Sequence, residues 1–289
     1  MTTNAPCRLL LVGGDGFVGT ALRMLLPSHG FEVLATSRRP GAPLHLDLLH
    51  PDAFEIPANV DAALLCAAVS QPVVCEADPD GSRRINVDGP AHLLPRLAAA
   101  GIRTLVLSSD KVFDGTRPMR RRDEPVCPVI PYGRQKAEME QVALAAGAAV
   151  LRLSRVVSAD MALLHGWVAD LADGRAIRPF SDMRLAPVDV ARVARLAAAI
   201  LGSWDHGGGI FQASGAADIT YAEMALALAA WTGADPALVL PQPAPPAVAG
   251  SVLSRHTTLD MRREVELFGI GHPTLDDLRP LFTVADDVS

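Results

Sequence analysis

The feature that most constrains this chain is a glycine-rich turn between an apolar run and a helical pattern. The run is Cys7–Val12, glycines follow at positions 13, 14, 16 and 19 in the spacing G-x-x-G-x-x-G, and the helical pattern begins at Phe17. Glycine permits a tight turn and a close approach to phosphate, and the free N–H groups of a helix N-terminus favour negative charge. The order strand, turn, helix therefore predicts a pyrophosphate-binding turn. A turn that merely ends a strand is the alternative.

Composition limits the kind of protein that carries this turn. The chain has 289 residues, is 49% hydrophobic and 20% charged, and has a net charge of -6, which is typical of a globular protein without a nucleic-acid surface. No apolar segment reaches membrane-spanning length and the N-terminal residues lack a secretory signal, so we expect no membrane partner and a cytoplasmic location. Neither the four cysteines nor the eight histidines form a metal-binding pattern, so no metal is expected.

Apolar runs alternate with helical patterns through the first half of the chain. We predict strands at residues 7–12, 31–36, 60–66, 104–108 and 149–153, and helices at 17–29, 83–100 and 132–146. Continuous apolar strands separated by helices predict an α/β fold with a doubly wound parallel sheet, that is, a Rossmann fold. Such sheets bind their ligands at the carboxyl ends of the strands.

The second half is less regular. We predict helices at residues 191–201 and 221–232, a strand at 209–213 and an extended proline-rich connector at 236–246. A basic cluster, Arg117 with residues 120–122, is typical of a solvated loop, with an anion site as the alternative. We expect a dinucleotide-binding domain over residues 1–154. Residues 155–289 are expected to form a small substrate lobe, with segments that return to complete the sheet.

Tyrosine, lysine and serine residues carry the candidate chemistry. Tyr132 and Lys136 lie four residues apart at the start of a predicted helix, so their side chains share one face. A free tyrosine has a pKa near 10, and a neighbouring ammonium lowers that pKa toward neutral pH. Ser108 and Ser109 end a predicted strand, where a hydroxyl could bind the carbonyl oxygen that the tyrosine protonates. The alternatives are an ordinary exposed Tyr/Lys pair and a serine that only ends a strand.

Several motifs in order resemble those of the extended short-chain dehydrogenase/reductases, most closely the dTDP-4-dehydrorhamnose reductase (RmlD-like) group. They are the glycine turn, residues 66–68 and 85–87, the S-D-x-V-F-D-G of residues 109–115, P-Y-G at 131–133 with Lys136 and Glu138, and P-V-D-V-A at 187–191. The resemblance implies an oxidoreductase of carbohydrate biosynthesis that reduces a keto group on a nucleotide-sugar with NAD(P)H. The alternatives are a nucleotide-sugar epimerase and a non-catalytic NADP-binding regulatory subunit, as the β-subunit of methionine adenosyltransferase is.

The resemblance also implies roles for individual residues. Tyr132 would protonate the developing alkoxide, Lys136 would lower the pKa of Tyr132 and bind the nicotinamide ribose, and Ser109 would orient the ketone. Asn86 would pack near the site. The expected cofactor-binding residues are Gly13, Gly16, Phe17, Val18, Gly19, Ser37, Arg38, Arg39, Asp47, Ala67, Ala68, Tyr132 and Lys136.

The residues after the second predicted strand bear on the choice of cofactor. NAD specificity usually requires a carboxylate there, and residues 36–39 contain none. Arg38 and Arg39 suit a 2′-phosphate, because a guanidinium is a permanently charged planar fork. We therefore expect NADP(H) to be favoured over NAD(H), the alternative being that both arginines only point into solvent. The resemblance places Asp47 near the adenine, which fits either cofactor.

Three positions depart from the family pattern, so the sugar and its nucleotide stay open. Lys111 stands where the reductase group commonly has tyrosine, Val157 lies where an aromatic stretch is usual, and His256 lies where a proline is usual. Lys111 also replaces the second acid of the related dehydratases, which disfavours dehydration but leaves epimerisation open. Relatives often dimerise, so a homodimer is also an open expectation.

Overall fold

The computed structural model describes residues 6–204, 208–245 and 254–283. Its strands are β1 Cys7–Val12, β2 Phe31–Ala35, β3 Ala62–Leu65, β4 Arg103–Ser109, β5 Ala149–Leu153, β6 Arg155–Val157, β7 Arg184–Leu185, β8 Pro187–Asp189, β9 Gly209–Ala213 and β10 Ile219–Thr220. The centre of the structure is a six-stranded parallel sheet with the order β2-β1-β3-β4-β5-β9. Two further pairs of short strands lie outside it, β6 with β8 and β7 with β10.

Helices cover both faces of this sheet. They are α1 Phe17–Leu25, α2 Pro72–Ala77, α3 Pro79–Arg83, α4 Gly89–Ala99, α5 Pro131–Ala145, α6 Ala162–Ala172, α7 Val190–Gly202, α8 Tyr221–Thr232 and α9 Arg262–Phe268. Alternate residues of β1 face opposite ways: Leu9 and Leu11 pack in the core that α1 and α7 cover, and Leu10 packs with α4 and α5. The predicted α/β Rossmann fold is confirmed.

The order of the strands opens a crevice next to β1. The chain runs from β1 to β2 on one side and then crosses to β3 on the other, and Leu11 pairs with both Ala35 and Leu64. Connections that leave in opposite directions separate at the carboxyl ends of β1 and β3, which is where open α/β sheets bind ligands. The glycine turn follows β1, at the mouth of this crevice.

The second half of the chain builds a separate hydrophobic cluster and then returns to the sheet. Leu164 of α6 and Met224 and Leu228 of α8 are fully buried together. Farther along, Met261 and Ile270, which flank α9, are buried in the same core as Phe211 of β9. The C-terminal segment therefore adds its own apolar residues to the main core.

Several predicted boundaries differ from the structure. The helix predicted at 17–29 is α-helical only to Leu25 and ends in a 3₁₀ turn that contains Pro27. The helix predicted at 83–100 starts earlier, with α3, and contains a π turn at Arg84–Asp88. The predicted connector includes a 3₁₀ turn at Pro236–Leu238. Pro246 and the N-terminal residues 1–5 lie outside the described residues.

Among the described helices, none combines the length and the apolar character that crossing a bilayer requires. Within residues 6–204, 208–245 and 254–283, no group of three or more histidine, cysteine or acidic side chains is placed to hold a metal ion.

Candidate active site

The glycine turn lies where backbones approach too closely for side chains. Gly13 has a φ of +92°, and a Cβ on it would lie 2.7 Å from the Cα of Ala67. The Gly13 N–H donates to Thr36 Oγ1 at 3.1 Å, and the Gly14 N–H donates to the Thr36 carbonyl oxygen at 3.0 Å. A Cβ on Gly19 would collide with the carbonyl oxygen of Gly13. The turn is therefore held between the ends of β1, β2 and β3.

The first turn of α1 opens toward the crevice. Gly16 caps the helix without any side-chain hydrogen bond, and Phe17 is 45% exposed. Val18 packs with its side chain toward the core, so only its backbone faces the turn. Unpaired N–H groups at a helix N-terminus bind anions. The N–H groups of this turn are thus available to an anion such as the pyrophosphate of a dinucleotide.

Ala67 and Ala68 follow β3 on the other side of the crevice, and Asn86 holds this stretch in place. Asn86 Oδ1 accepts from the Val69 N–H at 2.7 Å, and its Nδ2 donates to the Val69 carbonyl at 3.0 Å and to Gln135 Oε1 at 2.7 Å. These bonds connect the loop after β3 to α5. Asn86 therefore positions the crevice wall against the helix that carries Tyr132.

Ser109, Tyr132 and Lys136 come together at the carboxyl end of β4. Ser109 is the last residue of β4, and Tyr132 and Lys136 lie in the first two turns of α5. Lys136 Nζ donates to the Leu107 carbonyl oxygen at 2.9 Å and lies 5.9 Å from the centroid of the Tyr132 ring. All three side chains are buried. The structure therefore brings these three candidate residues to one end of β4.

Burial dominates the ionisation of these groups. It raises the pKa of Tyr132, and the hydrogen bond between Tyr132 and Ser109 opposes this only in part. It lowers the pKa of Lys136 to about 8. The expected lowering of the Tyr132 pKa is therefore not what this arrangement gives, because the Lys136 ammonium binds the Leu107 carbonyl and desolvation of the phenol has the larger effect. A raised pKa keeps the proton on Tyr132 at neutral pH.

The two neighbouring serines have different partners. Ser108 Oγ donates to Glu140 Oε1 at 2.5 Å, and Glu140 forms a buried ion pair with Arg152 at 2.7 Å. Ser109 Oγ donates to Asp110 Oδ1 at 3.0 Å and accepts from the Lys111 N–H at 3.2 Å. Ser108 therefore belongs to the protein interior, and Ser109 is the serine of the candidate site.

Residues 7–277 match the family described as the RmlD substrate binding domain. The chain belongs to this family. It is 30% identical to a dTDP-4-dehydrorhamnose reductase of Mycobacterium tuberculosis, over 87% of this chain and 86% of that protein.

Two other proteins are also similar to this chain, one over half of its length and one in its fold. The methionine adenosyltransferase 2 subunit beta of Bos taurus is 32% identical over 50% of this chain, and the match spans about half the length of that relative, 46%. The structure of a Bacillus anthracis dTDP-4-dehydrorhamnose reductase in complex with NADP is similar with a TM-score of 0.83 at 17% sequence identity. The similarity covers 97% of this chain and 99% of that one. This last likeness shows the shared fold.

The departures of this RmlD-family chain fall in different surroundings. Lys111 Nζ lies 3.0 Å from Asp110 Oδ2 and donates to Ser254 Oγ at 3.1 Å, beside Ser109. Val157 is fully buried in the cluster of α6 and α8. His256 Nδ1 lies 3.0 Å from Asp218 Oδ2. Of the three positions, Lys111 is the one that directly adjoins the candidate catalytic residues.

The end of β2 holds the residues predicted to choose the cofactor. Arg38 and Arg39 are exposed, and Ser37 Oγ accepts from the Arg39 N–H at 3.0 Å. Asp47 Oδ1 accepts from the Leu49 N–H at 3.0 Å. Asp15 was not predicted, and its carboxylate reaches this place from the glycine turn. No periodic pattern marks it, and only the predicted order of the strands, in which the parallel neighbours β1 and β2 end side by side, indicates that the two turns meet.

Proposed function

We propose that this RmlD-family chain reduces a keto group on a nucleotide-linked sugar, using hydride from NAD(P)H. The observation that carries the proposal is the convergence of Ser109, Tyr132 and Lys136 at the end of β4, on the sheet edge that also carries the open glycine turn. A dinucleotide bound at the turn and a proton donor at the same edge are the two requirements for reducing a ketone. The named activity of the reductase relative, which is matched over 86% of its length, supports the substrate class.

Tyr132, Ser109 and Lys136 have different roles in delivering the proton. A bound nicotinamide dinucleotide supplies the hydride. Tyr132 holds the proton at Oη, and its raised pKa keeps that proton in place until charge develops on the ketone oxygen. Ser109 fixes the position of that oxygen beside the phenol. Lys136, with a pKa of about 8, carries a positive charge at neutral pH and stabilises negative charge as the proton leaves.

The cofactor of this reaction is NADP(H) in preference to NAD(H). Two exposed guanidinium groups, Arg38 and Arg39, follow β2, where a 2′-phosphate would lie, and residues 36–39 offer no carboxylate for the ribose hydroxyls. Binding of both dinucleotides to the purified chain would establish the order of affinity.

The decisive experiment removes only the phenolic hydroxyl. Tyr132→Phe is expected to lower kcat for NADPH oxidation with a 4-keto nucleotide-sugar by about 10²–10⁴-fold, because the proton donor is lost. Its dissociation constant for NADPH should stay within about twofold. Tyr221→Phe is the matched control, since the chain has 2 tyrosines and Tyr221 instead packs edge-on against Trp167. Full turnover by Tyr132→Phe would refute the proton-donor role.

A non-catalytic regulatory subunit is the second candidate, and the similarity to methionine adenosyltransferase 2 subunit beta favours it. This alternative requires dinucleotide binding without turnover of any keto nucleotide-sugar, and an affinity that Tyr132→Phe leaves unchanged. An epimerase would convert its sugar without net consumption of NADPH. Following both NADPH absorbance and the sugar product therefore separates all three functions.

Two broader expectations accompany the proposal. The homodimer predicted from the resemblance is tested by light scattering on the eluting protein. The cytoplasmic location is tested by fractionation of cells that produce the tagged chain.

A further inference from the structure

Asp15 belongs to the glycine turn, but its carboxylate reaches the end of β2. Ser37 Oγ donates to Asp15 Oδ2 at 2.5 Å, and Arg39 Nε lies 3.4 Å from the same oxygen. The Arg39 N–H in turn donates to Ser37 Oγ at 3.0 Å. Three groups from two turns thus form one cluster, and the Asp15 side chain is 34% exposed within it.

This cluster occupies the place where such folds read the adenosine ribose. A carboxylate there accepts hydrogen bonds from the ribose hydroxyls of NAD, whereas arginine accommodates the 2′-phosphate of NADP. The usual carboxylate stands at the end of the second strand, and this chain has Thr36, Ser37, Arg38 and Arg39 instead. The fold supplies the missing carboxylate from the turn after β1. Both kinds of recognition group therefore meet at one spot.

The two kinds of group oppose each other when a 2′-phosphate binds. A phosphate monoester carries nearly two negative charges, and Asp15 repels them at close range. Asp15 also contacts the Ser37 hydroxyl and the Nε edge of the Arg39 guanidinium, both of which a phosphate would use. No such conflict arises with the 2′-hydroxyl of NAD(H), which donates a hydrogen bond to a carboxylate.

We propose that Asp15 is a specificity-determining residue for the adenosine ribose: it accepts hydrogen bonds from the hydroxyls of NAD(H) and opposes the 2′-phosphate of NADP(H). The preference for NADP(H) that Arg38 and Arg39 confer is thereby reduced, and the chain accepts both dinucleotides. The inference rests on the proposed function only in so far as a dinucleotide binds at the glycine turn. It requires no sugar substrate.

The test measures binding of NADPH and NADH to the sugar-free protein by titration calorimetry. Asp15→Asn keeps the size of the side chain and an acceptor oxygen but removes the charge, so NADPH should bind about tenfold more tightly, while NADH changes less than about threefold. Asp15→Ala also removes the acceptor, so NADH should bind about tenfold more weakly. Both variants should therefore raise selectivity for NADPH.

Two further variants show whether the effect is local. Glu32→Gln removes one charge from β2 at the side of Arg8, its ion-pair partner at 3.3 Å, and should leave the ratio of affinities unchanged. In the double variant Asp15→Asn with Arg39→Gln, the gain in NADPH affinity should shrink, because part of that gain comes from releasing Arg39. Thermal midpoints close to that of the unsubstituted protein confirm that each variant is folded.

The possible outcomes separate this inference from the proposed function. A ratio of affinities in Asp15→Asn within twofold of the original overturns the role of Asp15, whatever the enzyme reduces. A shifted ratio in a protein that reduces no keto-sugar supports the role of Asp15 and counts against the proposed function. Failure of the unsubstituted chain to bind either dinucleotide overturns both.

Discussion

Ser108 and Ser109 are sequence neighbours with unlike surroundings, because successive residues of a strand face opposite sides of the sheet. Ser108 donates to the buried Glu140 carboxylate, which in turn pairs with Arg152. Ser109 lies at the strand end with Asp110 and Tyr132. We therefore expect the Ser108 hydroxyl, which is bound to a buried charge, to contribute to stability, and the Ser109 hydroxyl to contribute to turnover.

The serine pair therefore offers a test in which each variant is the control for the other. Ser108→Ala should lower the free energy of unfolding by about 1.5–3 kcal/mol, the value of a hydrogen bond to a charged group, with turnover within about threefold. Ser109→Ala should lower kcat by about tenfold or more and cost under about 1 kcal/mol. Urea unfolding and NADPH oxidation measure the two effects. The opposite pattern would assign the catalytic hydroxyl to Ser108.

At the residue scale, spacing along the sequence predicted the candidate residues that lie close together in the chain. The interval between Tyr132 and Lys136 on one helix face could be read directly, and the structure places Tyr132 beside Ser109 and Lys136 on the Leu107 carbonyl of the same strand. Asp15 was missed because its partners come from another turn. Arg120 was assigned to a solvated loop, but it is buried with its guanidinium 4.2 Å from the centroid of the Phe113 ring. Tertiary contacts of this kind leave no periodic pattern.

At the scale of elements, the start of α5 depends on contact with the turn after β4. Pro131 opens the helix, and a Cβ on Gly133 would collide with the Lys111 carbonyl oxygen. The absence of a side chain at Gly133 therefore lets α5 approach the end of β4. This approach sets the separation between Tyr132 and the Ser109–Lys111 turn.

Alanine substitution at two helical glycines tests this contact. Gly133→Ala should destabilise the fold by about 1–3 kcal/mol through overpacking and lower kcat about tenfold or more by displacing Tyr132. Gly166→Ala in α6 is the control, because nothing lies within 4 Å of its added Cβ, and it should stabilise by about 0.5–1 kcal/mol. Urea midpoints and initial rates report both. Unchanged stability and turnover in Gly133→Ala would show that α5 accommodates a methyl group at this position without moving away from β4.

The elements that the sequence predicted best were those with a strong apolar pattern. β1, β5, β9 and α8 have the predicted bounds, and the six strands of the sheet were all recognised. α2 was missed because six residues are too few for a helical period to show, and α6 and α9 lie where the pattern is irregular. The π turn at Arg84–Asp88 is too short to change the spacing of apolar residues in the longer helical stretch, so the sequence pattern does not reveal it.

At the scale of the whole molecule, the C-terminal segment connects the candidate site to the edge of the sheet. The His256 N–H donates to the Gly115 carbonyl at 3.0 Å, and Ser254 accepts from Lys111. Farther along, Glu264 of α9 is fully buried, and its Oε1 accepts from the Gln212 N–H of β9 at 2.8 Å. Docking of α9 on β9 thus places a carboxyl group in the interior, and the segment before α9 covers the turn that carries Lys111.

Stability should therefore depend on the ionisation of Glu264. Burial raises its pKa from 4.5 to about 7, against the opposing effects of Arg263 and Arg122. The folded state then binds more protons than the unfolded state between these two pH values, so the contribution of Glu264 to stability is fully present below about pH 4.5 and is lost as pH rises through 7. The lost free energy is about 3 kcal/mol.

Glu264→Gln isolates this contribution, because the amide stays neutral and keeps an oxygen that can accept from the Gln212 N–H. Relative to the unsubstituted chain, the free energy of unfolding of this variant should increase by about 2–3 kcal/mol between pH 4.5 and pH 8, as measured by urea unfolding. Glu266→Gln, on the same helix but exposed, is the matched control. If the difference in free energy of unfolding between Glu264→Gln and the unsubstituted chain were the same at both pH values, the Glu264 carboxyl would be in contact with water. The sheet core would then not order the C-terminal segment that covers the candidate site.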